Sequence, residues 1–110
     1  INIFNNIISM IELAKVNNIK VILCSVLPVL DFPWRRGLKP SGKIINLNNL
    51  LRGYAKQHSL VYVDYFSIMV NSSNGLIEAY GYDGVHPNEL GYSIMEPLLE
   101  KGITEVFNQD

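Results

Sequence analysis

Hydrophobic positions along the chain change period several times, and each change marks an element. Ile3, Phe4, Ile7, Ile8, Ile11 and Ala14 recur at helical spacing until Asn17-Asn18 breaks the pattern, so residues 3–16 are expected to form an amphipathic helix. Ile19 to Val26 is nearly continuous in apolar and β-branched residues, the pattern of a strand buried on both faces of a parallel sheet. Leu27 to Pro40 holds Pro28, Pro33, Gly37 and Pro40 and sustains neither period, which makes it a loop. Ser41 is placed to cap a helix whose apolar positions Ile44, Leu47, Leu51, Tyr54 and Ala55 share one face up to about Gln57. Leu60 to Val63 predicts a short second strand, followed by a helical turn over Phe66 to Val70 and a turn at Asn71-Ser72-Ser73-Asn74-Gly75. The last helix is expected to start near Asn88, a good cap, with Leu90, Ile94, Met95, Leu98 and Leu99 inward and a kink at Pro97.

Helix, strand, helix, strand, helix, with connections long enough for right-handed crossovers, predicts a layered α/β protein whose two strands are parallel neighbours. Three or more strands are needed for an independently stable sheet. Residues 1–110 are therefore expected to be a single partial domain, the C-terminal part of a larger sheet. A five-stranded doubly wound parent would place on the order of 90 residues upstream, as three βα units of about 30 residues each. The opening Ile-Asn-Ile-Phe has neither an initiator Met nor a basic segment leading into an apolar one, so no signal peptide is expected here and the native N-terminus is expected elsewhere. Cellular location stays open, an extracytoplasmic one included. The unpaired strand edge of such a piece is a template for pairing, and self-association through it is expected.

Composition removes several classes of partner. With 110 residues, 48% hydrophobic and 17% charged, the chain reads as globular rather than disordered. Nine Lys and Arg against ten Asp and Glu leave a net charge of −1 without a basic stripe, so nucleic acid is not an expected partner. The longest apolar stretch, Val21 to Leu30, is interrupted by Ser25 and Pro28 and falls short of the roughly 20 residues a membrane helix needs, so no transmembrane segment is expected. The single cysteine, Cys24, cannot form an internal disulfide and reads as a small buried side chain.

The chemistry concentrates in Asp83-Gly84-Val85-His86-Pro87-Asn88-Glu89-Leu90-Gly91-Tyr92, a loop before the last helix. An Asp three residues before a His, with Gly84 loosening the turn and Pro87 stiffening it, lets the carboxylate reach the imidazole Nδ1–H. That bond selects the tautomer and leaves Nε2 free as a base toward a hydroxyl supplied from elsewhere in the fold. An imidazole near its ordinary pKa of about 6.5 suits that exchange at neutral pH. The same spacing also fits a capping Asp beside a surface His. A metal site would need three or four ligands, and His58, at a helix end beside Gln57 and Ser59, reads as solvated; neither metal nor cofactor is implied. Ser25 lacks the small flanking residues of a nucleophile elbow, and Ser72 and Ser73 belong to a turn. Asp64 ends a strand, where it either faces a ligand crevice or caps the turn at Phe66 to Val70.

Taken whole, Asp83-Gly84-x-His86-Pro87-Asn88-x-x-Gly91-Tyr92 before an amphipathic C-terminal helix resembles the last conserved block of the SGNH, or GDSL-type, hydrolases. Val21-Ile22-Leu23 through Leu27-Pro28-Val29 is similar to that family's fourth strand with its exit loop, and Leu60-Val61-Tyr62-Val63-Asp64 to its fifth. The resemblance implies the C-terminal part of a flavodoxin-like three-layer αβα sandwich and hydrolysis of an acyl ester. His86 would be general base and then general acid, and Asp83 its orienting carboxylate. The family's nucleophilic Ser, in a Gly-Asp-Ser block, and the Gly and Asn of its oxyanion hole would all lie upstream of Ile1. The chain would then carry the acid–base half of a Ser-His-Asp site and be inactive alone, its substrate a small-molecule, lipid or carbohydrate ester. The loop Asp31-Phe32-Pro33-Trp34-Arg35-Arg36-Gly37 leaves the C-terminal end of a strand, where ligands sit in such sheets. There Trp34 offers a face to an acyl chain or sugar ring and Arg35 or Arg36 meets a carboxylate or phosphate; the alternative is Trp34 as a packed loop anchor with solvated arginines. Two other functions stay open: a non-catalytic α/β binding or assembly module that retains the loop for its fold, and a metal-assisted hydrolase.

Overall fold

In the computed structural model, which describes residues 2–109, helix α1 (Asn2–Val16) leads to strand β1 (Ile22–Cys24) and helix α2 (Ser41–Gln57) to strand β2 (Val61–Val63). A short helix α3 (Phe66–Met69) and a 3-10 turn (Glu78–Tyr80) then precede the long helix α4 (Glu89–Phe107). The strands are parallel neighbours, with Ile22 opposite Val61, Leu23 opposite Tyr62 and Cys24 opposite Val63. The expected helix–strand alternation and parallel pairing are therefore present.

Side-chain alternation along the strands sorts the core into two layers. Leu23 and Tyr62 face α1 and α2, where Ile11, Leu51 and Ala55 complete one cluster. Ile22, Cys24 and Val63 face the opposite side with Met69, Leu76, Met95 and Leu98. Three layers result: α1 and α2, the sheet, then α4.

Several expectations need correction. The strand is Ile22–Cys24 rather than Ile19 to Val26: Asn18 takes a left-handed φ of 59°, the chain end of α1 is closed by the Ile19 N–H on the Ala14 carbonyl, and Ile19 is exposed. Burial on both faces is also incomplete, since Leu23 is buried but Ile22 and Cys24 are only half-buried. Ser41 is the first helical residue of α2, with Pro40 at the cap position and no side-chain cap bond. In α1, Ile3 joins Met10, Leu13 and Val16 on an exposed apolar face rather than the inner one. In α4, Leu90 and Leu99 are exposed, and the buried stripe runs through Gly91, Met95, Leu98, Gly102 and Val106. The helix continues through Pro97 to Phe107, leaving the Ser93 carbonyl without its in-helix donor.

Candidate active site

The loop from Gly81 to Pro87 carries the site, and its ends are tied together. Gly81 and Pro87 form an antiparallel bridge, the Tyr82 N–H donates to the His86 carbonyl (3.1 Å) and the Asn88 N–H to the Tyr80 carbonyl (2.9 Å). Asn88 is the N-cap of α4, its Oδ1 accepting from the Gly91 N–H at 2.9 Å, while its Nδ2 donates to the Ala79 carbonyl at 3.0 Å. Gly91 lets α4 start this close: a side chain there would run into the Tyr80 carbonyl and approach Pro87 Cβ to 3.1 Å.

Within the loop, Asp83 organises its own neighbours. Its Oδ1 accepts the Val85 N–H (2.9 Å) and the His86 N–H (2.8 Å), and Oδ2 lies 2.7 Å from His86 Nδ1. Gly84, at φ +82°, supplies the left-handed backbone that this reversal requires. The His86 backbone N–H, then its ring, then the Val85 N–H hold the Asp83 carboxyl down to about 2, so it is ionised at neutral pH. Bonding Nδ1 to a carboxylate leaves His86 Nε2 outward, without a hydrogen-bond partner among the described residues, on a side chain that is 64% exposed.

Trp34 comes to this pair from the β1 exit loop. Its indole lies 5.7 Å from the His86 ring, tilted by 34°, and 5.3 Å from Phe32, and it is 62% exposed rather than packed down as an anchor. Arg35 and Arg36 are exposed. The loop is ordered instead by Asp31, whose carboxylate accepts backbone N–H groups from Phe32, Gly37 and Lys39, a role not anticipated from the sequence. Beside the loops runs an apolar groove of about 1080 Å³, walled by Ile3, Val26, Phe32, Leu47 and Leu50 and reaching Val85. A cleft of about 370 Å³ separates Leu30 and Asp31 from Gly81 to Gly84.

Other candidate residues fall away from this place. Ser25 is buried and its Oγ accepts the Phe66 N–H at 3.0 Å; Asp64 caps the following turn through the Ser67 N–H at 3.1 Å. His58 stacks on Tyr54 with ring centroids 4.1 Å apart, and burial pushes the half-buried Cys24 thiol up. Among the described residues no group of three or more His, Cys, Asp or Glu is arranged to hold a metal ion, and no helix is long and apolar enough to cross a membrane.

The fold is a layered α/β one with a parallel sheet, and the Asp83–His86 pair lies beside the loop that leaves the C-terminal end of β1. The chain belongs to the GDSL-like Lipase/Acylhydrolase family, whose profile matches residues 2–94. It is similar to a crystal structure of a Bacteroides fragilis protein described as an acylhydrolase (46% identity, TM-score 0.89, covering 93% of this chain and 50% of that one). It is equally similar to a GDSL-like lipase from Bacteroides thetaiotaomicron (48% identity, TM-score 0.89, covering 93% and 51%). The esterase domain of a zebrafish retrotransposon ORF1 protein shares the fold at 18% identity (TM-score 0.72, covering 93% and 57%). Among curated proteins none matches. The chain spans about half the length of the two Bacteroides structures.

Proposed function

We propose that this chain supplies the acid–base half of an acyl-ester hydrolase, with His86 as general base and acid and Asp83 as its orienting carboxylate. The observation that carries the reading is the 2.7 Å contact between Asp83 Oδ2 and His86 Nδ1, on an exposed side chain whose Nε2 has no hydrogen-bond partner among the described residues. Nε2 takes the proton of a hydroxyl nucleophile as its oxygen attacks the ester carbonyl. The resulting imidazolium, stabilised by Asp83, returns the proton to the departing alkoxide as the C–O bond breaks. A water molecule repeats the sequence to release the acid.

Nucleophile and oxyanion donors come, on this reading, from a preceding half of the same domain, with residues 1–110 as its C-terminal half. The open edge of β1, the exposed apolar face of α1 and the groove beside them support that reading, because an apolar surface of this extent ordinarily marks an interface. Trp34, and Arg35 beside it, receive the substrate, an ester of a small molecule, lipid or sugar.

The test is kinetic, in the form of the protein that includes the preceding half. His86→Ala should lower turnover by about 10⁴-fold or more, and Asp83→Asn by less, with the fold intact by circular dichroism. Trp34→Ala should raise KM with kcat preserved. Wild-type turnover in His86→Ala would remove the hydrolase reading and favour a binding or assembly module.

A further inference from the structure

We propose that Asp31 is a positioning residue for the site: by closing the loop over residues 31–39 it holds Trp34 against the His86 ring. Trp34 is 62% exposed, so burial does not fix it. What fixes it is the loop, and the loop converges on one carboxylate. Asp31 Oδ2 accepts the Gly37 N–H at 2.8 Å, and Oδ1 accepts the Phe32 and Lys39 N–H groups at 3.0 and 3.1 Å. Between these anchors the Arg35 N–H donates to the Phe32 carbonyl at 3.2 Å, turning the chain so that Trp34 stands at the tip. The rings of Phe32, Trp34 and His86 then follow one another at centroid separations of 5.3 and 5.7 Å, each tilted by about a third of a right angle. Asp31 and Asp83 thus do parallel work on the two sides of the 370 Å³ cleft, each gathering backbone N–H groups to rigidify one loop.

The consequence for chemistry rests on the reading of His86 as the proton-transfer residue: an indole beside the imidazole, which Asp83 already holds through Nδ1, forms one wall of the approach for substrate. The geometric claim stands independently of it, and the experiment addresses geometry. Trp34 is the chain's single tryptophan, and an imidazolium quenches a neighbouring excited indole more strongly than a neutral imidazole does. Trp34 emission, followed in the form of the protein that includes the preceding half, with any tryptophan there replaced by Phe, from about pH 5 to pH 8, the range in which imidazoles ordinarily change charge, therefore reports its contact with His86. Asp83, held at about 2, stays ionised throughout, and Arg35 and Arg36 stay cationic. His86→Gln identifies the part of the change that belongs to His86.

Asp31→Asn is the decisive variant. All three partners are donors, so either orientation of the amide sets its NH₂ against at least one N–H. The expected result is a His86-dependent emission change in wild type that falls by about half or more in Asp31→Asn and again in Asp31→Ala, as the docked loop loses population. Far-UV circular dichroism should be unchanged in both. Three results overturn the proposal: no His86-dependent change in wild type, an undiminished change in both Asp31 variants, or loss of the folded far-UV spectrum in both, which would make Asp31 a requirement for folding at large. None of these readouts needs a nucleophile or a substrate, so failure here and failure of the hydrolase reading are separately visible.

Discussion

Replacing Asn48 tests how the exit of β1 is held. Its side chain is 2% exposed, its Oδ1 accepts the Val26 N–H at 2.8 Å, and its Nδ2 donates to the Val26 carbonyl at 3.0 Å. One amide thereby satisfies both backbone groups of a residue just beyond the strand. Asn48→Ala removes two hydrogen bonds of about 0.5–1.5 kcal/mol each and leaves a small void. Because Val26 itself is 37% exposed, water reaches part of what is freed, which places the loss at about 2 kcal/mol. Asn48→Asp keeps the shape but aims a carboxylate oxygen at the Val26 carbonyl, at a cost of about 3 kcal/mol or more at neutral pH. The introduced carboxyl would have a folded pKa raised above its unfolded value of about 3.9, so its deficit is full above the raised value and shrinks as pH falls. Urea unfolding followed by circular dichroism at about pH 7 and pH 4 measures both; in a chain this size, about 4 °C of Tm accompanies each kcal/mol. Wild-type stability of Asn48→Asp at neutral pH, or no recovery in acid, would refute the reasoning.

Gly91→Ala should lower the melting temperature through about 1–3 kcal/mol of overpacking at the Tyr80 carbonyl, and an unchanged melt would mean that α4 shifts freely. Asp83 is depressed from 3.8 to about 2, so the order it lends the loop is complete above the ordinary value and is lost as pH falls through the lower one. The Val85 amide resonance, followed in His86→Gln so that no neighbouring imidazole changes charge, should accordingly hold its position down to about pH 4 and move only below it; an Asp83 protonation step above that would contradict the hydrogen bonds. The chain alone should self-associate through the open β1 edge, and a monomer by light scattering at high concentration would show the edge to be covered.

The elements that sequence made legible are those written in local periods. The helical stripes of α1 and α2, the apolar strand cores, the Asn88 cap and the Asp83–His86 spacing all depend on residues a few positions apart. What stayed hidden depends on distant partners or on residues a hydrophobic pattern does not count. Asn48 falls on the inner stripe with Ile44, Leu51 and Ala55, but a hydrophobic pattern does not count an amide, and the partner that occupies it lies 22 positions away. The buried stripe of α4 passes through Gly91 and Gly102, so a search for large apolar side chains selects Leu90 and Leu99 instead. The closure of the β1 exit loop on Asp31 spans up to eight positions, and nothing near Trp34 announces that it meets His86.

The tied ends of the His86 loop bear on how the site is assembled. Ordering each backbone residue costs about 1–2 kcal/mol, and here that loss falls within the folding of α4 and the 3-10 turn, because the Gly81–Pro87 bridge, the Asn88 cap and the Asp83 carboxylate all lie in one short stretch of chain. A molecule arriving at His86 therefore meets a preorganised imidazole and has no loop to order, so more of its contact energy appears as affinity. On the proposed reading, capture would then not wait for the His86 loop to rearrange.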